Sequence, residues 1–225
     1  MKEIIIRNIE ALLNQIQIVA DVDFFRGHSS IEYKLIPSIG RVYNKHPKII
    51  LQFEHEIFED FKRKYSLFTD IRPQTNYDFL FLAQHHGLPT RLLDWTYNPL
   101  VALYFATCSN FDKDGCIYHS FPSKGIFQYY SDKNPFNIEE NLLVLPNQVN
   151  VRYRNQNGLF IIYAKPYIED LSNIYCKYII PKEYKKPIQI KLRKIGFTRS
   201  FIYPSLDSLC ADIIDIYKDR YVPYE

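Results

Sequence analysis

A chain of 225 residues, 47% of them hydrophobic, has enough apolar surface for one folded domain with a sizeable core, which excludes a disordered polymer. Its formal net charge of +3 is too small to demand a nucleic-acid partner, and no apolar run approaches the roughly 20 residues of a membrane-spanning helix. Aromatic content is the unusual feature: 19 tyrosines and 16 phenylalanines supply many rings to pack and some to stack on a flat ligand.

The four cysteines (Cys108, Cys116, Cys176, Cys210) lack the paired short spacings of a zinc site or a redox motif and read as reduced side chains of a cytoplasmic protein. The start, MKEIIIRNIEALLNQIQ, interrupts its apolar stretch with acidic and polar residues, unlike a secretory signal. The seven glycines form no phosphate loop of either the P-loop or the dinucleotide type, so side chains must hold the phosphates of any bound nucleotide.

In chain order, Ile9, Leu12, Leu13, Ile16 and Val19 or Ala20 predict a helix over Ile6 to Ala20. Asp21 to Gly27 reads as a short strand ending at glycine. Pro47 to Tyr65 predicts an amphipathic helix with Ile50, Phe53, Ile57 and Phe61 inward and Glu54, Glu56, Glu59, Asp60 and Lys62 outward. Asp78 to His86 predicts a helix capped near Thr75 or Asn76 and stopped by Gly87, with His85 and His86 at its C-terminal end. There, His86 is a candidate proton donor, or simply a surface cap. Arg91 to Thr96 reads as a buried extended segment. Asn98 and Pro99 then open a helix whose small residues Ala102 and Ala106 permit close packing.

Beyond Ala106 the pattern switches to short strands. Asp112 to Gly115 reads as a turn before Cys116-Ile117-Tyr118, and Lys124 to Asn147 as a Pro- and Asn-rich surface loop or lid. Gly158 to Tyr163 and Tyr178 to Ile180 read as strands, Pro187 to Ile195 as a helix, Thr198 to Tyr203 as the last strand, and Leu206 to Tyr217 as a C-terminal helix that Asp207 would cap. Basic residues cluster from Lys177 to Arg199 and read as a solvated face. Helices first and strands after argue for α+β: a helical part over 1–106 and a strand-rich part over 107–225.

The densest chemistry lies in QHHGLPTRLLDWTYNPLVALYFA, Gln84 to Ala106. Arg91 and Asp94 are costly to bury without partners, so either they pair structurally or they belong to a site. His85, His86 and Asp94 also admit a metal-dependent nuclease, which would need those ligands to converge.

This block resembles the signature of the FRG domain, a bacterial family named for a Phe-Arg-Gly motif, present here as Phe25-Arg26-Gly27. Leu35 to Arg41 (LIPSIGR), Arg152 to Phe160 and Gly196 to Ala211 are similar to further family blocks, and the matches run in order along nearly the whole chain. FRG domains in turn resemble ADP-ribosyltransferases. The resemblance implies a single domain with a split antiparallel sheet, an N-terminal helical region and a dinucleotide cleft between two small sheets. It implies NAD as substrate, no metal, a nucleic acid or nucleotide as acceptor, and a toxin or phage-defence role.

On that resemblance Arg26, beside Gly27, takes the diphosphate, with Arg41, Arg91 or Arg152 as helpers. Gln156 matches a family position. Thr96 resembles the polar residue of the second strand, and Trp95 or Tyr104 forms a nicotinamide wall. The carboxylate is the departure: Lys177 of KYIIP stands where a glutamate is expected. Asp207 or Asp94 must then replace it, or the domain is a binding or sensing module without turnover.

Overall fold

The computed structural model describes residues 1–16, 22–42, 46–121, 134–146 and 151–221, with the side chains of 219 and 220 left out. In chain order the elements are β1 (Lys2–Ile5), α1 (Ile9–Gln15), β2 (Phe24–His28), α2 (Ser38–Val42), α3 (Pro47–Lys64) and α4 (Asn76–His85). Then come β3 (Leu92–Thr96), α5 (Pro99–Thr107), β4 (Gly115–Ser120), β5 (Leu142–Val144), α6 (Val151–Asn155) and β6 (Gly158–Ile162). The chain closes with β7 (Ile174–Ile180), α7 (Lys182–Lys194), α8 (Arg199–Ile202) and α9 (Leu206–Tyr221).

The strands form one open sheet in the order β1-β7-β4-β2-β3-β6-β5. β1 runs parallel to β7 and every other pair is antiparallel, so the sheet is mixed. The expected two small antiparallel sheets are therefore joined, but barely. β2 meets β3 through a single registered pair, Phe25 with Thr96, whereas β2 with β4 and β3 with β6 each hold five. Past that bridge β2 and β3 part, leaving a seam in the middle of the sheet.

Side-chain alternation decides what covers each half. Phe25, Ile117, Tyr178 and Ile180 point to one face and pack with α1, α5 and α7. Leu92, Phe160, Ile162 and Val144 point to the same face beyond the seam and meet Phe58 of α3 and Leu80 and Phe81 of α4. The opposite face holds Phe24, Leu93, Trp95, Cys116 and Tyr118. Helix α5 lies against β2 and β4 closely enough that a Cβ on Gly27 would stand 1.8 Å from the Ala102 carbonyl oxygen, and one on Gly115 2.1 Å from that of Ala106. The small residues at 102 and 106 do permit this packing.

Local chemistry sets the element ends. Thr75 and Asp78 form a reciprocal capping box on α4, and Asn98 caps α5 ahead of Pro99. Asn8 caps α1, its Oδ1 accepting the Ala11 amide at 2.7 Å, so the N-terminal helix starts at Ile9 rather than at Ile6, and β1 precedes it over Lys2–Ile5. Residues 17–21 and, of the expected surface loop at Lys124 to Asn147, residues 124–133 and 147 lie outside the described residues; Leu142–Val144 of that stretch are instead the buried strand β5, paired with β6.

Three expectations are corrected. Thr198 to Tyr203 is mostly the short helix α8, because Thr198 Oγ1 accepts the Phe201 amide and both carboxylate oxygens of Asp212 accept the amides of Arg199 and Ser200 (3.0 and 2.8 Å). Helix α7 begins at Lys182, five residues before Pro187, which therefore lies inside the helix and not at its start. Helix α3 buries Ile50, Glu54 and Phe58 rather than a purely apolar stripe, because Glu54 is drawn inward by Arg91.

Candidate functional site

A hollow of about 230 Å³ opens at the seam on the helix-covered face. Phe25, Arg26 and Gly27 of β2 and Asp94, Trp95 and Thr96 of β3 form its floor; Val101 and Phe105 of α5, Arg152 of α6, Gln156 and Tyr203 wall it. By strand alternation Arg26 and Trp95 belong to the opposite face. They line the hollow because the strands separate.

Arg26 spans the seam. One terminal nitrogen donates to the Asp94 carbonyl and lies 3.7 Å from the Asp94 carboxylate, while Nε donates to His28 Nε2 at 2.9 Å. The guanidinium thus stands where a backbone hydrogen bond would have continued the β2–β3 ladder. Burial lowers its pKa, and the Asp94 charge opposes that shift.

His28 is buried, and its Nδ1 donates to the Tyr33 carbonyl at 3.1 Å. Accepting from Arg26 at Nε2 fixes this neutral tautomer. Burial first, then the adjacent Arg26 charge, holds the His28 pKa down to about 3.

Among the described residues Asp94 is the only carboxylate lining the hollow, with its side chain 55% exposed. Gln84 orients it by donating to Oδ1 at 2.9 Å while accepting from the Thr90 hydroxyl. Thr96 donates to the Gln156 carbonyl and accepts the Asn98 amide at 2.9 Å, so it joins β3 to the turn before β6. Asn155 and Gln156 reach the carbonyls of Phe201 and Ile202 at 2.9 and 2.8 Å, clasping α6 to α8. That clasp sets Tyr203, whose ring carries the Arg152 guanidinium at 4.7 Å. Trp95 is buried edge-on against Phe24, and its Nε1 has no hydrogen-bond partner among the described residues.

The structure therefore gathers Arg26, Gly27, Asp94, Trp95, Thr96, Arg152 and Gln156 around one opening and leaves five sequence candidates outside it. Arg91 is 2% exposed and committed to Glu54, with contacts of 2.6, 3.0 and 3.1 Å, to the Pro135 carbonyl, and to the Phe136 ring at 4.9 Å. Such a side chain is buried and committed to the frame, out of reach of a ligand in the hollow. Asp207 is exposed on the first turn of α9, where Ser205, not Asp207, caps the helix. His86 is exposed at the C-terminal end of α4, edge-on to His85. Arg41 is exposed on α2, near enough to Arg26 and His28 to lower both pKa values but not lining the hollow. Tyr104, the other candidate ring wall, turns to a different groove, and its neighbour Phe105 lines the hollow.

Lys177, on β7, ion-pairs with Glu3 at 3.6 Å and lies over the Tyr118 ring at 5.6 Å. Among the described residues, no group of three His, Cys, Asp or Glu stands close enough to hold a metal.

Sequence reasoning missed His28, Gln84 and Tyr203. Alternation along a strand gave the signal for the first, since positions 26 and 28 share a face.

Comparison with known proteins bears on the same segment. Residues 23–115 match the FRG domain family. The FRG match runs from the residue before β2 to the first residue of β4 and contains Arg26, Gln84 and Asp94; Arg152, Gln156 and Tyr203 lie beyond it. No curated protein and no solved structure matches the chain.

Proposed function

We propose that the seam hollow binds NAD and that the chain transfers its ADP-ribose group to a nucleic acid or nucleotide. The observation that carries this reading is the convergence of two guanidinium groups, one carboxylate and three ring walls (Arg26, Arg152, Asp94, Trp95, Phe105, Tyr203) on one opening. A guanidinium fork matches the oxygens of a diphosphate, and ring faces match nicotinamide. At about 230 Å³ the hollow falls below the roughly 300 Å³ of sites that enclose drug-sized ligands, so it takes the nicotinamide ring and its ribose while the adenosine half lies across the rim.

In the reaction, the bond from ribose C1′ to the nicotinamide nitrogen breaks and its electron pair leaves with nicotinamide. Positive charge develops on the ribose, where the Asp94 carboxylate stabilises it electrostatically. A lone pair of the acceptor then forms the new bond to C1′, and the acceptor's proton passes to Asp94 or to water.

One observation favours a second reading, a module that binds nucleotide without turnover: the Asp94 carboxylate is already engaged by Gln84 and Arg26. Incubation with NAD, with and without DNA or RNA, separates the two. Transfer predicts free nicotinamide, reduced on the order of 100-fold by Asp94→Asn and by Arg26→Ala. Binding without turnover predicts NAD affinity lost in Arg26→Ala and no nicotinamide from any sample. NAD binding that ignores Arg26→Ala sinks both.

A further inference from the structure

Helix α9 turns polar groups toward the body of the protein. Ser208 and Asp212, one turn apart, are buried; Asp212 accepts the Arg199 and Ser200 amides of α8 at 3.0 and 2.8 Å, and the Ser208 amide donates to Ser205 Oγ at 3.1 Å. That choice of inner face sends the apolar residues outward. Leu206, Leu209, Ile213, Ile214, Ile216 and Tyr221 are each between 44% and 75% exposed. At about 100° per residue they fall within roughly 160° of the helix surface, and the exposed charges Asp207, Asp215 and Lys218 take the arc beyond them.

A surface helix ordinarily buries its apolar arc, so this pattern is reversed. The largest apolar patch on a typical monomer covers about 300–600 Å². At the exposures above, the six residues offer on the order of 700 Å², close to the roughly 800 Å² that each partner gives to a stable interface.

Spacing and charge select the occupant. Leu206, Leu209, Ile213 and Ile216 recur at intervals of three, four and three, the stripe of a helix that packs knobs into holes against another helix of the same pattern. A lipid surface instead calls for lysines and arginines along the polar arc, where the described charges are two aspartates and one lysine. The apolar arc carries no charge among the described side chains, so nothing on it repels a copy of itself.

We propose that two copies of this chain associate through α9, stripe against stripe, about a two-fold axis. Such a contact is self-complementary and closes at two. It also braces the seam hollow, because Asp212 of α9 holds the start of α8, and Tyr203, which follows α8, is a wall of the hollow. The association is independent of what the hollow binds or does.

Light scattering on the full chain from about 1 to about 100 µM tests it, in reductant so that the exposed Cys210 forms no cross-link. The mass is expected to rise toward twice that of the chain and no further. Leu209→Asp and Ile213→Asp put a charge in the stripe and are each expected to raise the dissociation constant at least about tenfold. Lys218→Glu, on the polar arc, should leave it unchanged. All three positions are exposed, and circular dichroism checks that the variants fold.

The mass of a single chain at every concentration overturns the proposal. So does a dimer that survives both Asp variants, which puts the contact elsewhere, and so does a mass that climbs past the dimer, the mark of an open head-to-tail contact. Co-sedimentation of a monomer with phosphatidylcholine or phosphatidylglycerol vesicles would assign the stripe to a lipid surface and equally overturn it.

Discussion

The imidazole of His28 sets what Arg26 can do. With Nδ1 tied to the Tyr33 carbonyl, its Nε2 lone pair holds the guanidinium by Nε and leaves the terminal nitrogens to face the seam. His28→Leu removes that acceptor and is expected to weaken NAD binding about tenfold, read by titration; unchanged affinity would show that packing alone orients Arg26. His28→Gln keeps a polar side chain and isolates the ring's titration. The folded pKa, about 3, lies below the ordinary 6.5, so as pH falls the unfolded chain takes the proton first. The stability from the neutral ring is whole above pH 6.5 and shrinks between pH 6.5 and 3, by up to about 1.4 kcal/mol per pH unit. Urea midpoints at pH 7.5 and pH 5 should therefore fall further for wild type than for His28→Gln. His85, held down to about 4 by burial and then by Arg152, adds to the same trend; it is less buried than His28, so its share is smaller.

Between elements, two contacts hold the frame around the seam. The Arg91–Glu54 pair joins the residue just before β3 to α3 with both partners dry. Removing one partner leaves an uncompensated buried charge, so Glu54→Gln or Arg91→Met should cost about 3–5 kcal/mol in chemical denaturation. The double variant Glu54→Leu with Arg91→Met should recover much of that, since an apolar pair leaves no charge behind; a double variant as weak as the sum of the singles would contradict this account. The second contact is backbone against backbone, β2 on α5 at Gly27. Gly27→Ala forces the helix outward and is expected to destabilise by more than about 3 kcal/mol or to abolish folding, with Gly115→Ala behaving alike. The motif glycine thus serves the packing that aims its neighbour Arg26.

Over the whole molecule, the sheet is two well-paired halves hinged on one bridge and a side chain. A ligand held by Arg26 on one half and Asp94 on the other links both. NAD is therefore expected to slow amide exchange at 26–28 and 94–96 together; protection of one half alone would place the ligand off the seam. The outer helix α9 shows how far the surroundings of an element can depart from its pattern. It turns Ser208 and Asp212 inward and leaves Leu206, Leu209, Ile213 and Ile216 exposed, because Asp212 is needed at the start of α8.

The sequence by itself determined what local chemistry controls: the caps of α4 and α5, the strand character of β2, β3 and β6, and the two blocks whose residues meet at Arg26 and Asp94. Their meeting was an expectation carried by motif and resemblance. Only the tertiary structure decided that Arg91 pairs with Glu54, that Thr198 to Tyr203 coils instead of extending, and that Asp207 stands apart. Each of these turned on a partner distant in the chain (Glu54 for Arg91, Asp212 for the α8 amides), and a buried charge or an unpaired amide takes whichever partner the fold brings to it, which spacing along the chain does not encode.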